Sequence, residues 1–288
     1  MPTPASPWQA LACPEPMCLV AIAWQAHPRY PLILAGNRDE YHARPAAAAD
    51  WWPDAPAVFG GRDLKAGGSW LGINRNGRLA VVTNNPLRPS SADRPLSRGA
   101  LVRDWLTGSV TSTRYLDDLA TREAHYGGFS LLVGNVRTGL EGFITPAGAW
   151  GSRWTVPTGI SVLSNSSREA PWPKVTWLER QLSACLANPE RRAGATTSAG
   201  VLPGSIADPL VDELMALLGR RMPVATADDD SLLAGVRVRP FVSGLEYGTR
   251  ASTVILADPY GGWSFCEQRY GPGGVPVGNP VTARHSPP

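Results

Sequence analysis

The chain has 288 residues, of which 43% are hydrophobic and 18% charged, with a formal net charge of +3. That length buries a sizeable core, in one large domain or two, and the composition is that of an ordinary globular protein. A charge excess this small, with no local Lys/Arg run, argues against a nucleic-acid partner, and no apolar run approaches the ~20 residues needed to span a bilayer.

The basic residues are nearly all arginine, Lys65 and Lys174 being the only lysines. With the abundant Ala, Pro and Gly, this composition suggests a GC-rich bacterial source. Cys13, Cys18, Cys185 and Cys266 lack CxxC spacing, so neither a zinc site nor a disulfide framework is expected. Residues 1–16 hold no basic residue and no continuous apolar stretch, which makes a poor secretory signal and leaves a cytoplasmic location as the expectation.

In chain order, residues 1–16 are proline-punctuated and read as a disordered extension or a mis-assigned start, with Met17-Cys18 as a second start. Residues 17–24 and 32–40 are apolar, strand-forming runs around the turn His27-Pro28-Arg29-Tyr30-Pro31, which reads as a β-hairpin. An antiparallel return sets Cys18 across from Asn37-Arg38-Asp39-Glu40. Residues 42–54 read as a polar and aromatic linker. The pairs Gly60-Gly61 and Gly67-Gly68 mark turns or close backbone approach. Residues 70–73 and 78–83 form a hairpin about Asn76-Gly77 that stops at Asn84-Asn85-Pro86. Helices are expected after Ser97, from about Ser112, over 171–186 and over 210–218. Hairpin strands are expected at 129–133 and 140–144, a short strand at 160–163, and a closing pair at 253–257 and 263–267. Residues 188–205 read as a loop, 228–230 as a solvated acidic turn, and 271–288 as a loose tail. Strands joined mostly by hairpins and segregated from helices indicate an α+β fold with antiparallel sheets.

Chemistry centres on Cys18. As a first residue, its α-amine (pKa ~7.7–8.0) lies beside its thiol (~8.5) and can act as general base, so no histidine is required. The alternative is a buried strand cysteine. Along the second strand, Asn37 and Asp39 share one face and Arg38 and Glu40 the other. Asn84 and Asn165 end strands, where a side-chain amide can meet an oxyanion or simply form a turn. Arg250, ahead of a strand, offers fixed positive charge or is a surface arginine. Trp70, Trp24 and Trp51-Trp52 can wall an apolar pocket or fill the core. No phosphate-binding, GxSxG, HExxH or metal-ligand spacing occurs, so no cofactor and no metal are expected.

Met17-Cys18-Leu19-Val20 and Asn37-Arg38-Asp39-Glu40 resemble the NRDE family, named for that tetrapeptide, which includes the transport-and-Golgi-organisation protein 2 homologues. The likeness continues through Gly61-Arg62-Asp63, residues 67–72, Thr83-Asn84, Leu163-Ser164-Asn165, Pro171-Trp172-Pro173-Lys174-Val175 and residues 247–254, and so runs from Met17 to about Tyr270. What the resemblance implies is a single domain over 17–270 with an N-terminal nucleophile (Ntn) hydrolase-like fold, a four-layer αββα sandwich. The arrangement is more distantly similar to the choloylglycine hydrolase and penicillin V acylase group, whose Gly-Arg-x-x-Asp is shortened here to Gly36-Asn37-Arg38-Asp39. The resemblance makes Cys18 the nucleophile, Asp39 the holder of its amine, Asn84 and Asn165 the asparagines near oxyanion and nucleophile, and Arg250 the late arginine. Asn37, Arg38 and Trp70 then contact substrate. The expected activity is hydrolysis of linear C–N amide bonds. The alternative is non-catalytic handling of haem or an acyl lipid in the same cleft, in line with the family's suggested roles in Golgi organisation, secretion, haem handling and lipid homeostasis.

Overall fold

The computed structural model describes residues 17–85, 94–145, 151–166, 171–187, 208–221 and 232–287. The expected N-terminal extension (1–16), the loop at 188–205 and the acidic turn at 228–230 lie outside them. Thirteen strands among the described residues form two antiparallel sheets. The chain opens with β1 (Cys18–Trp24) and β2 (Leu32–Tyr41), the expected hairpin, and enters the second sheet through β3 (Ala46–Trp52), β4 (Ala55–Asp63), β5 (Leu71–Asn74) and β6 (Arg78–Asn84). Helices α1 (Arg98–Thr107) and α2 (Ser112–Arg122) follow, then β7 (Phe129–Asn135), β8 (Gly139–Ile144), β9 (Ser152–Thr155) and β10 (Gly159–Ser164). Next come α3 (Pro173–Ala187), α4 (Pro209–Leu218) and α5 (Leu232–Val238), and finally β11 (Tyr247–Ala257), β12 (Trp263–Tyr270) and β13 (Pro276–His285). One sheet has the order β10-β1-β2-β11-β12-β13, the other β3-β4-β5-β6-β7-β8-β9.

The four layers follow from which side chains each strand sends to which face. Val20, Ile22 and Leu34 of the first sheet meet Phe59, Ile73, Val81 and Leu132 of the second in the central core. On the opposite face of the first sheet, Leu19, Ala21, Ile33 and Ala35 pack against Leu178, Leu182, Leu214 and Leu218 of α3 and α4. The outer face of the second sheet is covered by Leu101, Val102, Trp105, Leu116 and Leu119 of α1 and α2. Both faces of β1 and β2 are therefore buried, which is why these strands read as continuous apolar runs rather than alternating ones. Each fully buried Leu or Ile contributes roughly 1.5–3 kcal/mol. Helix starts are set by side-chain caps: Ser97 accepts from Gly99 N, Thr111 from Arg114 N, and Asp208 from Leu210 N ahead of Pro209. This is the αββα sandwich expected from the resemblance.

Two local expectations are corrected and one is narrowed. Much of the 42–54 linker is strand β3, paired with β4 despite its alanines. Of the two readings of Gly60-Gly61, a turn or close approach, the structure shows the second: both lie inside β4, where a Cβ on Gly60 would sit 2.7 Å from Leu71 O and one on Gly61 2.3 Å from the Trp70 ring. The tail is not loose throughout, because Pro276–His285 pairs with β12 as an edge strand, the one place in a sheet where its prolines cost no ladder bond.

Candidate active site

Antiparallel pairing puts Cys18 directly opposite Arg38, and β2 in turn pairs with β11 through Arg38↔Ala251 and Asp39↔Thr249. Cross-strand neighbours share a face, so Cys18, Arg38 and Glu40 turn toward the second sheet while Asn37 and Asp39 turn toward the helices. The expected alternation of the tetrapeptide is present, and each face has its own chemistry.

On the inter-sheet face, Cys18 lines a cavity of about 540 Å³ together with Arg38, Glu40, Arg44, Trp70 and Asn84. The Arg38 guanidinium lies over the Trp70 ring at 4.3 Å and reaches Glu40 at 3.4 Å. Arg44 binds Asp63 at 2.6 Å and lies 3.7 Å from Glu40. Cys18 is only 8% exposed. Burial first, and the charge of Asp39 second, push its thiol up to about 11, against the opposing pull of Arg38 and a hydrogen bond from the Asp39 backbone N–H. With Met17 attached, Cys18 is thus a protonated thiol at neutral pH.

The nitrogen of Cys18 donates to Asn165 Oδ1 at 2.8 Å, and Met17 N donates to the Tyr247 hydroxyl at 2.7 Å. Ser164 Oγ donates to the Cys18 carbonyl at 2.9 Å, tying β10 to the start of β1. Asp39 is fully buried below, receiving Thr249 Oγ1 at 2.7 Å on one oxygen, with Lys174 Nζ 3.8 Å from the other. Burial pushes the Asp39 carboxyl up to about 6, opposed by Lys174 and the Thr249 hydroxyl.

Of the residues singled out in the sequence, Cys18, Asp39 and Asn165 cluster at one strand end, and Arg38, Trp70 and Asn84 join Cys18 at the cavity wall. Asn37 is elsewhere: its Nδ2 donates to the carbonyls of Leu218 and Pro240 and its Oδ1 accepts from Ser252, so it braces the helical layer. Arg250 is inside β11 rather than ahead of it, at a register shift between Thr249 and Ala251. This bulge aims its Nη1 at the carbonyls of Tyr41, His42 and Arg44, at 2.8–3.1 Å. Trp24 fills the inter-sheet core, Trp51 packs against Phe59 and Trp263, and Trp52 is buried beneath the helices of the second sheet, so of these tryptophans only Trp70 lines the cavity. Sequence reasoning missed Lys174, Thr249 and Tyr247. Lys174 carried one usable signal, as one of only two lysines in a chain whose other basic side chains are arginines.

A helix-flanked sandwich of two antiparallel sheets, with a cysteine at the start of an inner strand beside a buried carboxylate and an asparagine, defines the class: an αββα protein with a thiol-walled cavity. The chain belongs to the Transport and Golgi organisation 2 family, whose profile matches residues 17–272. It is 35% identical over 271 residues to the Transport and Golgi organization protein 2 homolog of Bos taurus (88% of this chain, 92% of that protein). Identity to the Homo sapiens homolog is 31% over 269 residues (88% and 92%). Among solved structures, the chain is similar to the Caenorhabditis elegans N-acylethanolamine-hydrolyzing acid amidase ortholog at 14% identity, covering 84% of this chain and 93% of that one, with a TM-score of 0.42. No helix among the described residues is long and apolar enough to cross a membrane.

Proposed function

We propose that the chain is an amidohydrolase for linear C–N amide bonds, with Cys18 as nucleophile once Met17 and anything before it is removed. The observation that carries this reading is the setting of the Cys18 nitrogen: it is held by Asn165 Oδ1, near a fully buried carboxylate, while the attached thiol faces a cavity large enough for a small acyl compound. As a free amine, that nitrogen takes the thiol proton, and the thiolate attacks the acyl carbon. The oxyanion is met by the side-chain amide of Asn84, a neutral donor already at the wall. The protonated amine passes its proton to the leaving nitrogen as the C–N bond breaks. The same amine then deprotonates the water that cleaves the thioester. Arg38, paired across from Cys18 and stacked over Trp70 at the cavity wall, suits a substrate oxygen. The alternative of haem or acyl-lipid carriage uses the same cavity, but no histidine lines it among the described residues, which leaves Cys18 as the one soft donor there.

The test uses the chain encoded from Met17, which contains every described residue. Intact mass is expected to show Cys18 as the first residue. A panel of N-acyl amines is expected to leave an acyl group on Cys18 that hydroxylamine releases, and Cys18→Ala to abolish it. Acylation that persists after the α-amine is acetylated, or a mature chain that retains Met17, overturns the mechanism. A Soret shift on adding haem, with no acyl transfer, favours the carrier.

A further inference from the structure

Beneath Cys18, on the helix-bearing face of the sheet, is an ion pair that the steps above do not use. Lys174, in the first turn of α3, is fully buried, and its Nζ lies 3.8 Å from Asp39 Oδ2, beyond hydrogen-bond length. Neither atom has a hydrogen-bond partner among the described residues. The indole of Trp172 lies 5.6 Å from the ammonium, and the Arg237 guanidinium lies over the same ring at 5.6 Å. A pair serving stability alone closes to contact and fills its remaining valences, since burying two charges otherwise costs more than it returns. Here a carboxyl group and an amine are buried with an open donor and an open acceptor, both interacting electrostatically with Cys18. The lysine is also one of only two among 27 basic residues. A compact ammonium fits this position, whereas a guanidinium fork would demand several planar partners.

We propose that Lys174 is a positioning residue for the amine of Cys18: its charge cancels that of Asp39, so the amine is neutral until the thiol gives up its proton. The inference rests on the proposed amidohydrolase reading and adds to it. Next to Asp39 alone, a free α-amine would form a carboxylate–ammonium pair and could accept nothing. Next to Lys174 alone, it could not hold the proton it must take. With both present the two charges oppose one another at Cys18, and burial favours the neutral amine. When the proton moves from sulfur to nitrogen, the new ammonium finds Asp39 Oδ2 free to accept from it. The other ionisable groups that act on this pair are Tyr247, whose hydroxyl is pushed well up by burial and Asp39, Arg38 from the opposite face of β2, and Arg237 across Trp172. Burial lowers the Lys174 ammonium, and Asp39 opposes that.

The experiment measures alkylation of Cys18 by iodoacetamide from pH 5 to 10, in the chain encoded from Met17 and verified by mass to begin at Cys18. Lys174→Met is expected to move the ionisation limb up by about one pH unit, slowing labelling on the limb about tenfold. Asp39→Asn is expected to move it down, and the double variant to restore it. A limb that does not move in Lys174→Met, with only thermal stability lowered, overturns the proposal and reduces Lys174 to packing. Should Lys174→Met fail to fold, the double variant buries no lone charge and still decides, because a limb displaced from the parent's is incompatible with cancellation. Labelling of the parent that ignores acetylation of its amine sinks the amidohydrolase reading and this one together. Amine-dependent labelling with an unmoved limb sinks this one alone.

Discussion

Arg250 is expected to act on the loop after β2 rather than on substrate, and Arg250→Met tests this. Its Nη1 donates to three carbonyls, those of Tyr41 at 2.8 Å, His42 at 3.1 Å and Arg44 at 3.1 Å. One nitrogen carries two hydrogens, so two bonds count fully and the third is shared. Hydrogen bonds to a charged donor contribute about 1.5–3 kcal/mol each. The guanidinium is half-buried, so water recovers part of that when it is removed. Loss of Arg250 also relieves its repulsion from Arg38 and Arg269, which together with burial lowers its pKa. These terms leave a net cost of about 2 kcal/mol, or roughly 4 °C in Tm. Because the loop carries Arg44 to the cavity wall, Cys18 labelling is expected to weaken in parallel with local order and to recover when the loop is stabilised. Urea unfolding and iodoacetamide labelling of the same samples decide it. Stability equal to that of the parent with labelling abolished refutes the bracing argument and returns Arg250 to direct contact with the reacting groups.

Two further perturbations test the packing around the cavity. Gly61→Ala drives a methyl to within 2.3 Å of Trp70, so the indole and the Arg38 stacked on it must shift. A loss of about 1–3 kcal/mol with slower Cys18 labelling is expected, and an unchanged Tm counts against the contact. Glu267 is buried, its Oε1 receives Ala49 N at 2.9 Å, its Oε2 has no hydrogen-bond partner among the described residues, and burial raises its pKa above 4.5. Its contribution to stability is therefore full below pH 4.5 and lost as pH rises through the raised value. Glu267→Gln keeps the acceptor and is expected to stabilise the protein by about 1 kcal/mol or more at pH 8 and by much less at pH 4. Equal shifts at both pH values contradict this.

The parts of the fold legible in the sequence are those whose burial is written locally. The β1–β2 hairpin showed itself as two apolar runs about a proline turn, α1 and α2 by serines near their starts, and α3 by apolar residues at helical spacing. Strand β3 was not legible because Ala46 to Ala49 bear no strand preference, and it is β4 pairing across it that holds them extended. β13 hid behind prolines and glycines that an edge tolerates. In the site, the thiol, Arg38 and Asp39 followed from antiparallel register. The partners on the helical side did not, because the contact of Lys174 with Asp39 spans 135 residues that no local period describes.

Why four consecutive polar residues belong in a strand buried on both faces follows from the same geometry. A strand in such a sheet ordinarily carries apolar side chains on each face, since every unpaired charge costs several kcal/mol. Here each face supplies partners before the charges arrive. Trp70, Arg44 and the open cavity receive Arg38 and Glu40, while Thr249, Lys174 and two helix-layer carbonyls receive Asp39 and Asn37. A slip of one residue would exchange the faces and strand all four side chains without partners. Gly36 helps forbid it, because a Cβ there would lie 3.0 Å from Leu19 O and from the Val20 side chain, so only the residue without one passes this point of β1. The bulge at Arg250 does the complementary work on the other edge, absorbing one residue of β11 so that Thr249 and Ala251 both keep their partners on β2. The register that places the thiol opposite Arg38 also decides which charge lies beneath its nitrogen, so any variant that shifts β2 is expected to silence both faces at once.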